Sequence, residues 1–239
     1  MEWSTLGPRL GSWASKIKPF HDRGGFKPIY EFLKTQSKMG AKIAPISLCT
    51  YRVFKEVKFE DLRAVIVCQD PYFKFIGDVP VATGVALDCS STEKIAPSLQ
   101  QFYNGIEREI YQGLNLEYVP SYDMSYLTEQ GVLLLNASLT VEKDKPGSHS
   151  KVWEDFTIFL LKEVIAPTGV PVLFLGREAA SFEPAVSTTN PTKIIKHPAS
   201  ASYNKTIWDS EGAFTWLSLN IWDRSQDVII WLPGLEPPF

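Results

Sequence analysis

Arg63-Ala64-Val65-Ile66-Val67-Cys68-Gln69-Asp70-Pro71-Tyr72 is a mainly apolar run that ends in an amide, an acid and a proline. An unbroken apolar run of this length reads as a strand buried on both faces, and Pro71 stops any regular continuation. Gln69, Asp70 and Tyr72 therefore stand near the carboxyl end of a strand, where open α/β sheets carry their ligand sites. Three further runs follow the same plan. Val132-Leu133-Leu134-Leu135 ends at Asn136, Val172-Leu173-Phe174-Leu175 ends at Gly176, and Lys193-Ile194-Ile195-Lys196 delivers His197.

The segments between these strands are long enough to hold helices. Pro97-Ser98-Leu99 leads into Phe102, Ile106 and Ile110, which share one helical face. Trp153, Phe156, Phe159 and Leu160 form another, ended by Pro167 and Gly169. Near-continuous apolar strands at such separations predict a four-stranded parallel sheet covered on both faces, a three-layer α/β/α fold. No linker or repeat divides the chain, so residues 1–239 read as one domain. Residues 1–25, broken by Gly7, Pro8, Gly11, Pro19, Gly24 and Gly25, read as an irregular amino-terminal extension with a short helix around Trp13–Lys18. Pro28 opens a helix carrying Ile29, Phe32 and Leu33. The stretch from Phe73 to Pro80 reads as too broken for a regular element, and Gly84-Val85-Ala86-Leu87-Asp88 as a short extended piece. A last helix spans roughly Gly212 to Asn220, and Ile229-Ile230-Trp231 precedes a proline-rich tail.

Composition sets outer bounds. A chain of 239 residues has ample material for a core, and 44% hydrophobic with 21% charged residues suits a soluble globular protein. The formal charge of -3 does not announce a nucleic-acid partner, although a local basic face engages phosphates whatever the net charge. Cys49, Cys68 and Cys89 are odd in number and widely spaced, so they read as free thiols in a reducing compartment. No apolar run reaches membrane-spanning length and no leader is visible, which predicts an intracellular protein with no membrane partner. Phosphate-loop and dinucleotide fingerprints are missing, which weighs against NTPase and dehydrogenase readings.

Three strand ends carry a conspicuous polar group: Asp70 with Gln69, Asn136, and His197. In a parallel sheet these ends share one edge, so an acid, an amide and a histidine gather into a small-molecule or base-binding cleft. The alternative is that each merely caps its own strand or turn.

Gln69-Asp70-Pro71-Tyr72 resembles the water-activating segment of the family 1 uracil-DNA glycosylases, which closes with a histidine where this chain has Phe73. Gly131 through Val141 resembles that family's segment presenting a base-reading asparagine. Ser148-His149 and Trp153-Glu154-Asp155-Phe156-Thr157 follow in the family's order. His197-Pro198-Ala199-Ser200 is similar to its catalytic-histidine loop, and Pro97-Ser98-Leu99 to its proline-serine loop. The similarity runs from about Val65 to Trp231.

The resemblance implies a monomeric glycosylase that acts on uracil in single- or double-stranded DNA and needs neither metal nor organic cofactor. Asp70 would activate water and stabilise the sugar cation, and His197 would stabilise the leaving uracil. Asn136 would read the base, Gln69 would meet its other carbonyl, and Tyr72 would wall off C5. Pro97, Ser98, Ser200, Ala201, Ser202 and Tyr203 would face the DNA, with Lys143, Lys145, Lys151 and Lys205 as electrostatic support. The role of His149 stays open between DNA backbone and structural hydrogen bonding. A replication partner or a glycosylase-inhibitor protein is a candidate partner, and a nuclear location is open if the host is eukaryotic. Three cysteines are too few for the four-cysteine iron–sulfur cluster of some related glycosylase families.

Departures from the pattern matter as much. Leu87 stands where the family stacks an aromatic ring on uracil, and leucine lacks a flat face. Ala201 stands where the family has a bulky leucine wedge, with Tyr203 two places on as a substitute, and Arg177 follows Gly176 in place of a small residue. Other readings follow from these departures: a preference for single strands, a C5-modified uracil as substrate, or a glycosylase-like binding platform with little catalysis. An unrelated α/β hydrolase or nucleoside-processing enzyme is the remaining alternative.

Overall fold

The computed structural model describes residues 2–112, 114, 117–186, 188 and 190–235. Four parallel strands form the centre: β1 (Ala64–Cys68), β2 (Val132–Asn136), β3 (Val172–Leu175) and β4 (Thr192–Ile195). Their order across the sheet is β2-β1-β3-β4. Every residue of β1, β2 and β3 is buried, as strands covered on both faces require. β4 closes the edge and is more open, with Ile194 on the solvent side. The main helices are α1 (Ala14–Asp22), α2 (Phe26–Lys38), α3 (Pro97–Ile110), α4 (Ser150–Phe159), α5 (Pro198–Asn204) and α6 (Ala213–Ser225). The α/β/α architecture expected from the strand pattern is the one observed.

Register decides what the sheet can present. Cys68 of β1 lies opposite Asn136 of β2, so both strands end at the same level. Gln69 and Asp70 continue from that edge; the Gln69 carbonyl accepts the Ser138 N–H at 2.9 Å, and the Cys68 carbonyl accepts the Ala137 N–H at 2.8 Å. The chain leaves β1 towards β2 on one side and returns to β3 on the other, and this reversal opens a crevice beyond the strands' carboxyl ends.

The amino-terminal segment corrects the sequence reading. It is not an irregular extension but a chain of short helical turns leading into α1. Leu6, Leu10, Trp13 and Ile17 lie fully buried in the main core, and the Trp13 indole donates to the Val57 carbonyl at 2.7 Å. Gly7 and Pro8 lie in one three-residue helical turn, Gly7–Arg9, and Gly11 opens the next, Gly11–Trp13, so they divide this layer without loosening it.

Three smaller readings also change. Residues 75–80 form a tight hairpin, with Phe75–Ile76 pairing Val79–Pro80. Gly84 through Asp88 is not extended: Leu87 turns through φ 65°. The Ala86 N–H nevertheless bonds the Leu134 carbonyl of β2 at 3.0 Å, so the segment lies against the sheet. The last helix runs on to Ser225, with Phe214, Leu217 and Ile221 buried and Leu219 facing solvent. Trp231 is buried against Phe214, and the proline-rich tail from residue 236 lies outside the described residues.

Candidate active site

Beyond the ends of β1 and β2 lies a cavity of about 170 Å³ lined by Gln69, Asp70, Tyr72, Leu87, Asn136 and His197, with Phe73 and Ser98 completing the wall. Pockets for drug-sized ligands measure roughly 300–1,000 Å³, so this smaller space suits one small ring.

Asp70 stands half-buried on the turn after β1, and its Oδ2 accepts the Gly147 N–H at 2.5 Å. Burial pushes its carboxyl above the ordinary range, and the Gly147 hydrogen bond pulls in the opposite direction. Below it, burial and the neighbouring Asp70 charge push the Cys68 thiol up to about 12, so that sulfur stays protonated and inert. Asn136 ends β2 at only 5% exposure, yet its side-chain amide makes no hydrogen bond among the described residues. Asn136 lines the cavity, so its amide turns one donor and one acceptor towards whatever occupies that space.

Tyr72 forms a fixed wall. Its hydroxyl lies 3.0 Å from Ser98 Oγ and 3.4 Å from the Leu87 carbonyl, and burial raises the phenol so that it stays neutral. His197 caps the amino end of α5, and its Nδ1 accepts the Ala199 N–H at 3.1 Å. That bond requires Nδ1 to be unprotonated, which leaves the ring proton on Nε2. Burial pushes the imidazole down to about 4, so it is neutral at ordinary pH. Its close approach to the end of β3 depends on Gly176, where φ is 89° and a Cβ would meet His197 Cβ at 3.0 Å.

The DNA-facing set divides. Tyr203 is 91% exposed at the end of α5 and Pro97 is exposed at the start of α3. Ser202 Oγ donates to the Pro97 carbonyl at 2.9 Å, which ties α5 to the first turn of α3. Ser200 Oγ donates to the His197 carbonyl at 2.7 Å. Ala201 is a correction: residues 198–204 are a helix and not an open loop, and one face of it turns inward, burying Ala201 in the core. Ser98 is also buried, with its hydroxyl 3.0 Å from that of Tyr72 in the cavity wall. Lys145 and Lys151 pair with Glu142 and Glu154, and Lys143 lies over the Phe75 ring, which tempers the expected basic support.

Two participants were not legible as site residues. Gly147 reaches Asp70 from 77 positions away, through its backbone and at φ 75°, so no side chain announces it. His149, whose role the sequence left open, is 1% exposed beneath the same loop, with Nδ1 2.8 Å from Thr140 Oγ1. No cluster of three or more His, Cys, Asp or Glu side chains suited to a metal ion occurs among the described residues.

A sheet edge of this kind defines an α/β/α protein with a ring-sized pocket at the carboxyl ends of its strands. No protein-family model matches the chain. The uracil-DNA glycosylase of Borrelia duttonii (strain Ly) is 32% identical over 192 residues, covering 79% of this chain and 82% of that protein. The uracil-DNA glycosylase of Borreliella burgdorferi (strain ZS7) is 32% identical over 201 residues, covering 81% and 85%. The chain belongs to the uracil-DNA glycosylase family. The fold agrees: the crystal structure of mimivirus uracil-DNA glycosylase superposes with a TM-score of 0.80 at 17% identity, over 97% of this chain and 89% of that one.

Proposed function

We propose that this protein removes uracil from DNA by hydrolysing the bond between N1 of the base and C1′ of deoxyribose, the opening step of base excision repair. The observation that carries this reading is the Asn136 amide, unpaired among the described residues and facing one cavity with Asp70 and His197. Asn136 Oδ1 accepts the uracil N3 proton and Nδ2 donates to O4. Tyr72 closes the space beside C5. Because its hydroxyl is tied to both Ser98 and Leu87, the wall is not free to swing away for a C5 substituent. That favours uracil over C5-modified bases.

As the C1′–N1 bond lengthens, positive charge grows on the sugar and negative charge on the ring. The Asp70 carboxylate opposes the first and takes a proton from the attacking water, whose oxygen bonds C1′. The bonding pair leaves with the base, and Nε2–H of His197 donates to O2, where that charge collects. The products are free uracil and an abasic site. A duplex substrate must first rotate the base out of its stack. With Ala201 buried, the exposed Tyr203 takes the wedge position, and a single strand needs no wedge.

The reading implies an intracellular protein acting where DNA lies. A variant of the mimivirus enzyme has been solved in complex with UGI. An inhibitor protein of that type would compete with DNA for the surface around Pro97 and Tyr203.

Base release from matched single-stranded and duplex oligonucleotides carrying uracil, thymine or 5-hydroxymethyluracil tests the function, with Asp70→Asn as control. Uracil release that disappears in the control is expected. Tight DNA binding with no release of any base would overturn enzymatic function in favour of a binding platform.

A further inference from the structure

The loop that holds Asp70 is itself held from behind. Thr140 Oγ1 accepts the Trp153 indole N–H at 2.7 Å and lies 2.8 Å from His149 Nδ1. Trp153 is fully buried on α4, and Thr140 and His149 are both buried. The Thr140 hydroxyl proton has no other partner among the described residues, so it goes to Nδ1 and the imidazole proton rests on Nε2. That Nε2 is buried without a hydrogen-bond partner among the described residues, near the ring of Phe32. Leaving a buried polar group unpaired is costly, and an apolar side chain would fill the space without that penalty. What the histidine adds is the bond through Nδ1. Two residues earlier, Gly147 sits in a left-handed turn with its N–H on Asp70 Oδ2.

We propose that Trp153, Thr140 and His149 form a positioning chain for Asp70: they clamp residues 146–149 so that the Gly147 N–H stays on the carboxylate. The inference rests on Asp70 being the water-activating group. None of the three touches the cavity, so they act only through the loop. The Gly147 bond stabilises the ionised carboxyl against a burial that disfavours it. Loosening the clamp therefore raises the pH at which Asp70 becomes active. The other titratable groups on the cavity wall are Cys68, Tyr72 and His197, and Glu142 is the charge acting on His149. None of these groups bonds the Gly147 N–H, so its loss bears on Asp70.

The test is the pH–rate profile, with separate kcat and KM, for uracil release from a single-stranded oligonucleotide. Thr140→Val and His149→Leu break the chain. Thr140→Ser keeps the hydroxyl, and His149→Asn places an amide oxygen near the Nδ1 position. The breaking variants are expected to lose about 10²-fold in kcat with KM little changed. Their acid limb should move up by about one pH unit. The two conservative variants should restore both. An acid limb that stays in place in folded Thr140→Val overturns the proposal even if kcat falls, because loss of packing alone lowers the amount of active enzyme without shifting the limb. Should one of the breaking variants fail to fold, the other carries the test alone; should both fail, Trp153→Phe, which deletes only the indole N–H to Thr140, takes their place, a raised limb supporting the clamp and an unmoved one overturning it. Asp70→Asn separates the two levels. Retained turnover there removes the assignment of Asp70 itself, whereas an inactive Asp70→Asn beside an unshifted Thr140→Val removes only the positioning chain.

Discussion

Lowering the pH from about 7.5 to about 5.5 should leave His197 neutral, unlike an ordinary histidine. Its Nδ1 accepts the Ala199 N–H, and protonation there would set two donors face to face. Burial adds to this and brings the imidazole to about 4. With a pKa of about 4, the neutral fraction stays above about 95% throughout that range, whereas an imidazole of pKa about 6.5 would fall from about 90% to about 10% neutral. The leaving uracil is thus met by an N–H donor whose population hardly changes. The assay is a ¹⁵N-histidine NMR titration of the free protein, assigned by loss of the signal in His197→Ala. The expected spectrum shows protonated Nε2, bare Nδ1 and a midpoint near 4. A midpoint near 6.5, or a proton on Nδ1, would refute the reasoning. The kinetic counterpart is a loss of about 10²–10³-fold in kcat for His197→Ala, the typical effect of deleting one donor to a developing anion. His197→Gln keeps an N–H donor and should lose less.

Further outcomes follow from the same geometry. Asn136→Asp replaces the donor facing O4 with a second acceptor, so uracil kcat/KM should fall by about 10²–10⁴-fold while the fold is kept, as competition among oligonucleotides would show. Tyr203→Ala should lower release from duplex DNA about tenfold and leave single strands nearly unaffected, the difference reading the wedge directly. Asp70→Asn should melt no lower than the parent at neutral pH. Its carboxyl is raised in the folded state, so that state binds protons more readily than the unfolded chain, and ionisation above that value costs stability which the amide does not incur. His149 carries the opposite sign: its pKa is lowered to about 4, so stability falls as pH drops below the unfolded value of 6.5. Between pH 7 and pH 5 that loss is about 2 kcal/mol, and urea midpoints should show a shallower pH slope in His149→Asn.

The strands were legible because a buried parallel strand is a local statement: β1, β2 and β3 are unbroken apolar runs, each with a polar or glycine stop. Asp70 and Asn136 were legible for the same reason, as the polar residues at the ends of β1 and β2, and His197 because it follows the shorter run Ile194-Ile195 of β4 and stands before Pro198. The amino-terminal layer was misread because glycine and proline mark breaks between elements whether the elements are long or only one turn, and Leu6, Leu10, Trp13 and Ile17 show their common face only once packed. Ala201 was misplaced because a short helix and a loop look alike in Pro198-Ala199-Ser200-Ala201-Ser202.

By itself, then, the sequence determined an α/β/α chain of this family with an acid, an amide and a histidine at its strand ends. Periodicity and chain breaks are properties of neighbouring residues, and they are written into the chain before it folds. Only the tertiary structure decided that Asn136 faces one cavity with Asp70 and His197, that Tyr72 is tied to Ser98 and Leu87, and that Gly147 reaches Asp70 with His149 behind it. Each of these depends on groups brought within hydrogen-bond distance from far along the chain, and burial, which sets the state of Asp70 and His197, exists only after those segments have packed.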